Sequence, residues 1–319
     1  MANCSECGKE IDEQATKCPE CAAETREITA KVNTAELLRQ WQERAEEARG
    51  VRIISVLGAK TDLGRARENN EDKLEFFQPE NEEMLAKKGA FYAVADGMGG
   101  HAAGQIASEI ALKTTVKAYY SDQSPMVEES LRAAIQQANG LIYETARAIP
   151  ERSGMGTTVT ALVVRGREAF IAQVGDSRLY RVRDGKIRQL TEDHSWVGEQ
   201  VRVGGMTREQ AEMSPFRNVI TRCLGTSASV DVDIYAEELR AGDVFLLCSD
   251  GLSGEVGEDD MRRAMLDGSP SEAAQALVDL ALERGGRDNI TVLILAIRDI
   301  ITDEPKPKKR GLGSLFGRG

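Results

Sequence analysis

The chain has 319 residues, 41% of them hydrophobic and 29% charged, with a formal net charge of −11 at pH 7. That length suits about two domains and a sizeable core, and the acidic balance argues against general binding to nucleic acid or anionic membrane. No apolar run approaches the roughly 18 residues of a membrane span, and the start, Met1-Ala2-Asn3-Cys4, has neither the charged nor the apolar region of a signal peptide. Four of the six cysteines lie within the first 21 residues. Cys223 and Cys248 stand apart in apolar contexts and are expected to be buried free thiols. The compartment expected from this usage is the reducing cytoplasm.

The first element is Cys4-x2-Cys7-x10-Cys18-x2-Cys21. Each Cys-x-x-Cys can place two thiolates on one ion, and two such turns complete a tetrahedral sulfur site. With Ile11 almost its only sizeable apolar residue, the segment cannot fold by burial alone, so the metal must supply the stability. It resembles the zinc-ribbon modules found at the N-termini of many bacterial proteins, which implies a structural Zn²⁺ over residues 1–23. A disulfide or redox pair is the alternative. Residues 24–50 read as a linker and an amphipathic helix, with Asn33 and Glu36 at capping-box spacing and Gly50 as a stop. Leu37, Leu38, Trp41, Ala45 and Ala48 share one face of that helix, suited to packing on the next domain or on a partner.

From residue 51 strands dominate, expected at 51–57, 73–77, 90–95, 157–164, 169–174, 179–183, 243–248 and 290–297. Helices are expected at 102–120, 126–148, 258–265 and 271–284. Hairpin-like strands with clustered helix pairs point to an α+β fold, helices outside two antiparallel sheets, rather than to strict βαβ alternation. Residues 196–217 show no regular period and read as a lid or specificity surface. Residues 301–319 are Pro- and Lys-rich and read as a flexible basic tail.

The chemistry rests on five aspartates at strand ends or Gly-rich turns: Asp72, Asp96, Asp176, Asp250 and Asp288. Converging carboxylates repel one another and take up protons unless cations hold them ionised, and all-oxygen ligation suits Mg²⁺ and Mn²⁺. A lone Asp-Gly is more often a turn than a ligand; an ordered set reverses that weighting. The order runs Thr61-Asp62-x-Gly64-x-x-Arg67-x-x-Asn70-Glu71-Asp72, then Ala95-Asp96-Gly97-Met98-Gly99-Gly100, then Gly156-Thr157-Thr158. Val174-Gly175-Asp176-Ser177-Arg178, Thr191-x-Asp193-His194-Ser195 and Asn218-x-Ile220-Thr221-Arg222-x-Leu224-Gly225 come next. Ser249-Asp250-Gly251-Leu252 and Asp288-Asn289-Ile290-Thr291 complete it.

This series resembles the metal-dependent protein phosphatase 2C family in its bacterial form, over residues 51–300. The resemblance implies a four-layer α-β-β-α sandwich and hydrolysis of phosphoserine or phosphothreonine by water activated between two Mn²⁺ or Mg²⁺ ions. It implies that Asp96 bridges the ions with the Gly97 carbonyl as a further ligand. Asp72 would serve the first ion, Glu71 its bound water, and Asp250 and Asp288 the second ion. Asp176, with Asp250, would hold a weaker third ion, and Arg67 would clamp the phosphate. Phosphoproteins are the implied substrates, targets of a serine/threonine kinase, with the kinase itself among the candidates. The resemblance also places residues 196–217 at the flap of bacterial relatives. Asp62 and Asp193 are weaker candidates, expected to satisfy backbone donors and to fix a loop. Eukaryotic members carry a proposed acid, His, after the Asp-Gly pair, where this chain has Met98; His101 and His194 are its only histidines, and neither is assigned as the acid. Two other readings are a catalytically silent phosphatase-like scaffold, disfavoured because no ligand is missing, and a ribbon-led interaction protein. The ribbon is acidic and lacks an aromatic and basic surface, so protein docking suits it better than nucleic acid.

Overall fold

The computed structural model describes residues 2–3, 10–11, 48, 50–100 and 102–302. Cys4, Cys7, Cys18 and Cys21, most of the helix expected before Gly50, His101 and the tail beyond Thr302 lie outside the described residues. The chain divides into two compact units, Met1–Arg44 and Ala45–Gly319. In the first, β1 (Ala2–Asn3) pairs antiparallel with β2 (Glu10–Ile11), Ala2 opposite Ile11.

The second unit begins with β3 (Val51–Asp62), β4 (Lys73–Phe77), α1 (Glu82–Lys88), β5 (Ala90–Ala95) and β6 (Gly97–Met98). Two long helices, α2 (Ala102–Ser121) and α3 (Val127–Ala148), lead into β7 (Gly156–Thr157), β8 (Val159–Arg165), β9 (Glu168–Val174), β10 (Arg178–Arg183) and β11 (Lys186–Gln189). After α4 (Trp196–Arg202) and α5 (Arg208–Glu212) come β12 (Asp233–Glu238), β13 (Val244–Cys248) and α6 (Asp250–Ser253). The unit closes with α7 (Glu258–Leu266), α8 (Pro270–Glu283) and β14 (Ile290–Thr302). One five-stranded sheet has the order β11-β10-β13-β14-β3 and the other β12-β9-β8-β5-β4, and every pairing is antiparallel.

Alternation along the central strands builds the layers. Tyr92 and Val94 of β5 meet Phe245, Leu247, Leu293 and Leu295 of the facing sheet in one buried cluster. Phe91 and Ala93 turn the other way, against Leu112 of α2 and Leu131, Ile135 and Ile142 of α3. On the second sheet Leu246, Val292 and Ile294 face Leu252, Met261, Leu277 and Val278 of the α6–α8 layer. Helices outside two antiparallel sheets are therefore present as expected.

Several expected elements change. The first strand runs on to Asp62, five residues beyond the expected end, because β14 pairs with it through Ile290 opposite Asp62. The strand expected at 157–164 is broken at Thr158, whose N–H donates to Asp96 O (2.9 Å). The strands β11 and β12 and the two-residue β1, β2 and β6 were not anticipated, nor the short helices α1, α4, α5 and α6. Cys248 is buried, but Cys223 is only half-buried.

Where α8 crosses β3, helix and strand touch through backbone. A Cβ at Gly58 would stand 2.2 Å from Pro270 C and 2.3 Å from Ser271 N. The start of α8 has no room to retreat, since Ser269 and Glu272 form a capping box around Pro270. Gly58→Ala is therefore expected to lower stability by about 1–3 kcal/mol, the usual cost of overpacking. Thermal unfolding reads this directly, and an unchanged Tm would show that the contact is soft.

Candidate active site

All five aspartates stand at strand ends or loops at one end of the two sheets. Arg67, Glu71 and Asp72 lie in the loop between β3 and β4; Asp96 follows β5 and Gly97 opens β6. Asp176 follows β9, Asp250 opens α6 after β13, and Asp288 precedes β14. A polar lattice locks these loops. Asp96 N–H donates to Thr158 Oγ1 (2.9 Å), and Thr157 Oγ1 donates to Asp96 O (2.8 Å). Ser249 Oγ donates to Asp72 Oδ2 (2.6 Å) and accepts from Thr291 N–H (3.0 Å).

Gly97 and Gly104 make a close approach possible between β6 and the first turn of α2. A Cβ on Gly97 would meet Gly104 O at 2.2 Å, and one on Gly104 would meet Glu71 Oε2 at 2.1 Å. Glu71 thus lies buried beside a helix N-terminus, where the partial positive charge favours an anion.

The electrostatics are those of a crowded set of acids. Burial pushes Asp72 up to about 7, with Asp250 and Asp288 adding to the rise and the Ser249 and Thr291 hydrogen bonds opposing it. Burial, then repulsion from Asp72, Asp250 and Asp176, holds Asp96 well above the usual carboxylate range. Asp176 is raised by burial and by Asp250 and Asp193, and Asp250 by burial and Asp288. Asp250 and Asp96 are close enough to influence each other's ionisation, and Asp250 opposes that of Asp96. Arg67 donates to Asp288 Oδ2 (2.6 Å), and this bond is the main cause raising its own pKa.

Among the described residues no three acids, thiols or imidazoles stand in finished ligand geometry around one point. Asp288 is instead engaged by Arg67. Yet Asp176 Oδ1 and Asp250 Oδ1 are buried with no hydrogen-bond partner. Orphaned carboxylate oxygens among mutually repelling acids are costly in a protein interior. An all-oxygen donor set of this charge fits hard divalent cations.

The protein phosphatase 2C family profile matches residues 64–282. The chain belongs to the protein phosphatase 2C family. The serine/threonine phosphatase stp of Listeria welshimeri is 38% identical over 241 residues, covering 74% of this chain and 93% of that protein. The crystal structure of the Mycobacterium tuberculosis serine/threonine phosphatase PstP/Ppp superposes with a TM-score of 0.69 at 35% identity, covering 77% of this chain and all of that one. A structure of the PstP catalytic domain in complex with two manganese ions has a TM-score of 0.66 at 34% identity, over 78% of this chain and 100% of its own.

Within this phosphatase 2C fold the remaining candidates take supporting places. Asp62 Oδ1 accepts from Gly64 N–H (2.9 Å), and Asp193 takes Arg178 through both oxygens (2.7–3.0 Å). His194 is buried with both nitrogens committed: Nδ1 accepts from Gly175 N–H (3.0 Å), and Nε2 lies 3.0 Å from Asp233 Oδ2. Burial also lowers its pKa, so the ring is a neutral brace behind the Asp176 loop and has no free nitrogen to offer a leaving group.

Asn289 escaped assignment in the sequence although its motif was noted. Its Oδ1 accepts from Glu71 N–H (2.8 Å), and its Nδ2 donates to Leu63 O (2.8 Å) and Asn69 O (3.0 Å). One side chain therefore clips the Arg67 loop to the start of β14. Asn289→Ala should cost about 2–3 kcal/mol, leaving buried backbone groups unpaired. It should also raise KM for phosphopeptide more than it lowers kcat, because Arg67 loses its fixed position. A KM equal to wild type would show that the loop holds without the clip.

Proposed function

We propose that this chain is a metal-dependent serine/threonine protein phosphatase, in which Asp72, Asp96, Asp250 and Asp288, with the Gly97 carbonyl, hold two Mn²⁺ or Mg²⁺ ions. Glu71 would act through metal-bound water, and Asp176 with Asp250 would take a weaker third ion. The observation that carries the reading is the pair of orphaned carboxylate oxygens, Asp176 Oδ1 and Asp250 Oδ1, within a set of five buried or half-buried aspartates beside Arg67. Bound cations would supply a water of lowered pKa and neutralise charge on the phosphoryl oxygens.

The protein's own groups do the positioning. Arg67 Nη2 is the only guanidinium nitrogen paired with Asp288, so other donors of the fork remain for phosphate oxygens. Ser249, itself held by Thr291 N–H, fixes the Asp72 carboxylate, and Thr157 and Thr158 fix the backbone of Asp96. Burial and acidic neighbours hold Asp96 well above the usual carboxylate range, so it must ionise to serve a cation, and cation binding releases protons. Met98 cannot donate a proton to the leaving oxygen and His194 is committed elsewhere, so neither of these is the acid; solvent held in the site is a proposed donor, beside His101, which lies outside the described residues.

Phosphoproteins modified by a serine/threonine kinase are the proposed substrates, and the reducing cytoplasm the proposed compartment. Cys4, Cys7, Cys18 and Cys21 are proposed to hold one structural Zn²⁺ in residues 1–23, and the ribbon with the following helix to serve protein docking. Elemental analysis of purified protein should give about one Zn²⁺ per chain, lost in Cys4→Ser; zinc retained at the full level in that variant would contradict the site. The catalytic reading is tested by phosphate release from a phosphothreonine peptide with chelator-stripped protein. Turnover restored by Mn²⁺ is expected, and folded, Mn²⁺-loaded protein with no turnover would favour the silent scaffold.

A further inference from the structure

Four arginines stand on the loop between β3 and β4 and on the connection between α8 and β14, and one differs from the rest. Arg67 is paired with Asp288 (2.6 Å), Arg284 with Asp260 (2.5 Å) and Arg287 with Glu255 (3.1 Å). Arg65 is exposed and has no acidic partner among the described residues, not even Glu68 on its own loop. It is nonetheless held in place. Its N–H donates to Gly286 O (2.6 Å), and its Cγ packs against Gly286, 3.3 Å from where a Cβ there would stand. Arg65 and Arg67 are thus anchored along the same three-residue stretch, one at Gly286 and the other at Asp288.

An exposed arginine on a mobile loop is usually a solvated charge. Here the backbone and the base of the side chain are fixed, the fork is unpaired, and its neighbour two positions on is the proposed phosphate clamp. We propose that Arg65 is a specificity-determining residue that favours substrates bearing an acidic side chain close to the phosphorylated residue. This rests on the phosphatase reading above. A guanidinium takes a carboxylate through two parallel N–H donors, and at an exposed site such a pair is worth up to about a fivefold effect. The preference should fade with salt, because surface pairs are screened.

The test compares kcat/KM of Mn²⁺-loaded full-length protein on two phosphothreonine peptides that differ only in glutamate or glutamine beside the target residue. Wild type is expected to favour the glutamate peptide by about threefold to fivefold. Arg65→Gln should bring the ratio near one, Arg65→Glu should invert it, and Arg65→Lys should keep part of it. Arg287→Gln removes the same charge from the connection between α8 and β14 and should leave the ratio close to wild type. Equal shifts in Arg65→Gln and Arg287→Gln would mean a diffuse field rather than recognition and would overturn the inference, as would a ratio that Arg65→Gln leaves unchanged. If wild type hydrolyses neither peptide, the phosphatase reading fails and the inference with it.

Discussion

Asp250→Asn is expected to lower turnover of a phosphopeptide by at least about 10²–10³-fold, the size of effect that follows loss of one preorganised charge at a reacting centre. Asp250 acts on every other acid of the set: it repels Asp72, Asp96 and Asp176 and is itself repelled by Asp288. An amide of the same shape keeps the packing at the start of α6 but gives up the negative charge that two proposed cation sites share. The same substitution should leave the metal-free fold no less stable, and more stable at alkaline pH. Its Oδ1 has no partner to lose, and the repulsion it removes is unscreened by burial. Loss of activity with equal or higher metal-free Tm is the signature of a functional rather than a structural residue. Activity within a few-fold of wild type would remove Asp250 from the site.

Metal-free protein should lose stability as pH rises through neutrality, opposite to the usual behaviour of paired carboxylates. Asp72 has its ordinary value of 3.8 raised to about 7 in the fold, chiefly by burial, and Asp96 and Asp176 are raised in the same direction. A group with a raised folded pKa contributes its full stability below the unfolded value and loses it as pH climbs through the folded one. For Asp72 that window runs from about 4 to about 7. Chelator-stripped protein should therefore unfold about 5 °C or more lower at pH 8 than at pH 5, given a Tm change of about 2–4 °C per kcal/mol for a domain of this size. Mn²⁺ should reverse the trend, adding about 3 kcal/mol per site at a hundredfold excess over Kd, and more at pH 8 where no proton must be displaced. A stripped protein whose Tm rises from pH 5 to pH 8 would mean that these acids are already compensated by other groups.

The acids were legible in the sequence because each sits in a turn whose neighbours are fixed by backbone geometry, so chemistry and local signal coincide. Gly97, Gly251 and Asn289 mark those turns, and β5, β13 and β14 that lead to or from them are apolar throughout their buried spans apart from Thr291. What escaped were elements whose reason lies outside their own residues. Strand β12 is an edge strand, half exposed, and pairs only with β9. Strand β11 carries four polar or half-buried residues, yet its turn was readable: Asp184-Gly185 separates Arg183 from Lys186, with φ of 51° and 71°. That is the two-residue hairpin signal of Asp-Gly. Residues 196–217 contain two short helices rather than an irregular loop, each announced by a cap, Ser195 accepting from Gly198 N–H and Thr207 with Gln210 in a capping box. The Arg67–Asp288 pair and the two committed nitrogens of His194 come from tertiary proximity and have no local signature.

These carboxylates should work only with divalent cations between them. A Mn²⁺ titration of chelator-stripped protein, with bound metal and phosphopeptide turnover followed in the same samples, decides this. No turnover is expected without metal, and the rate should climb as about two Mn²⁺ per chain bind outside the four-cysteine segment. Full turnover in excess chelator, or tight binding of Mn²⁺ with no gain in rate, would contradict it.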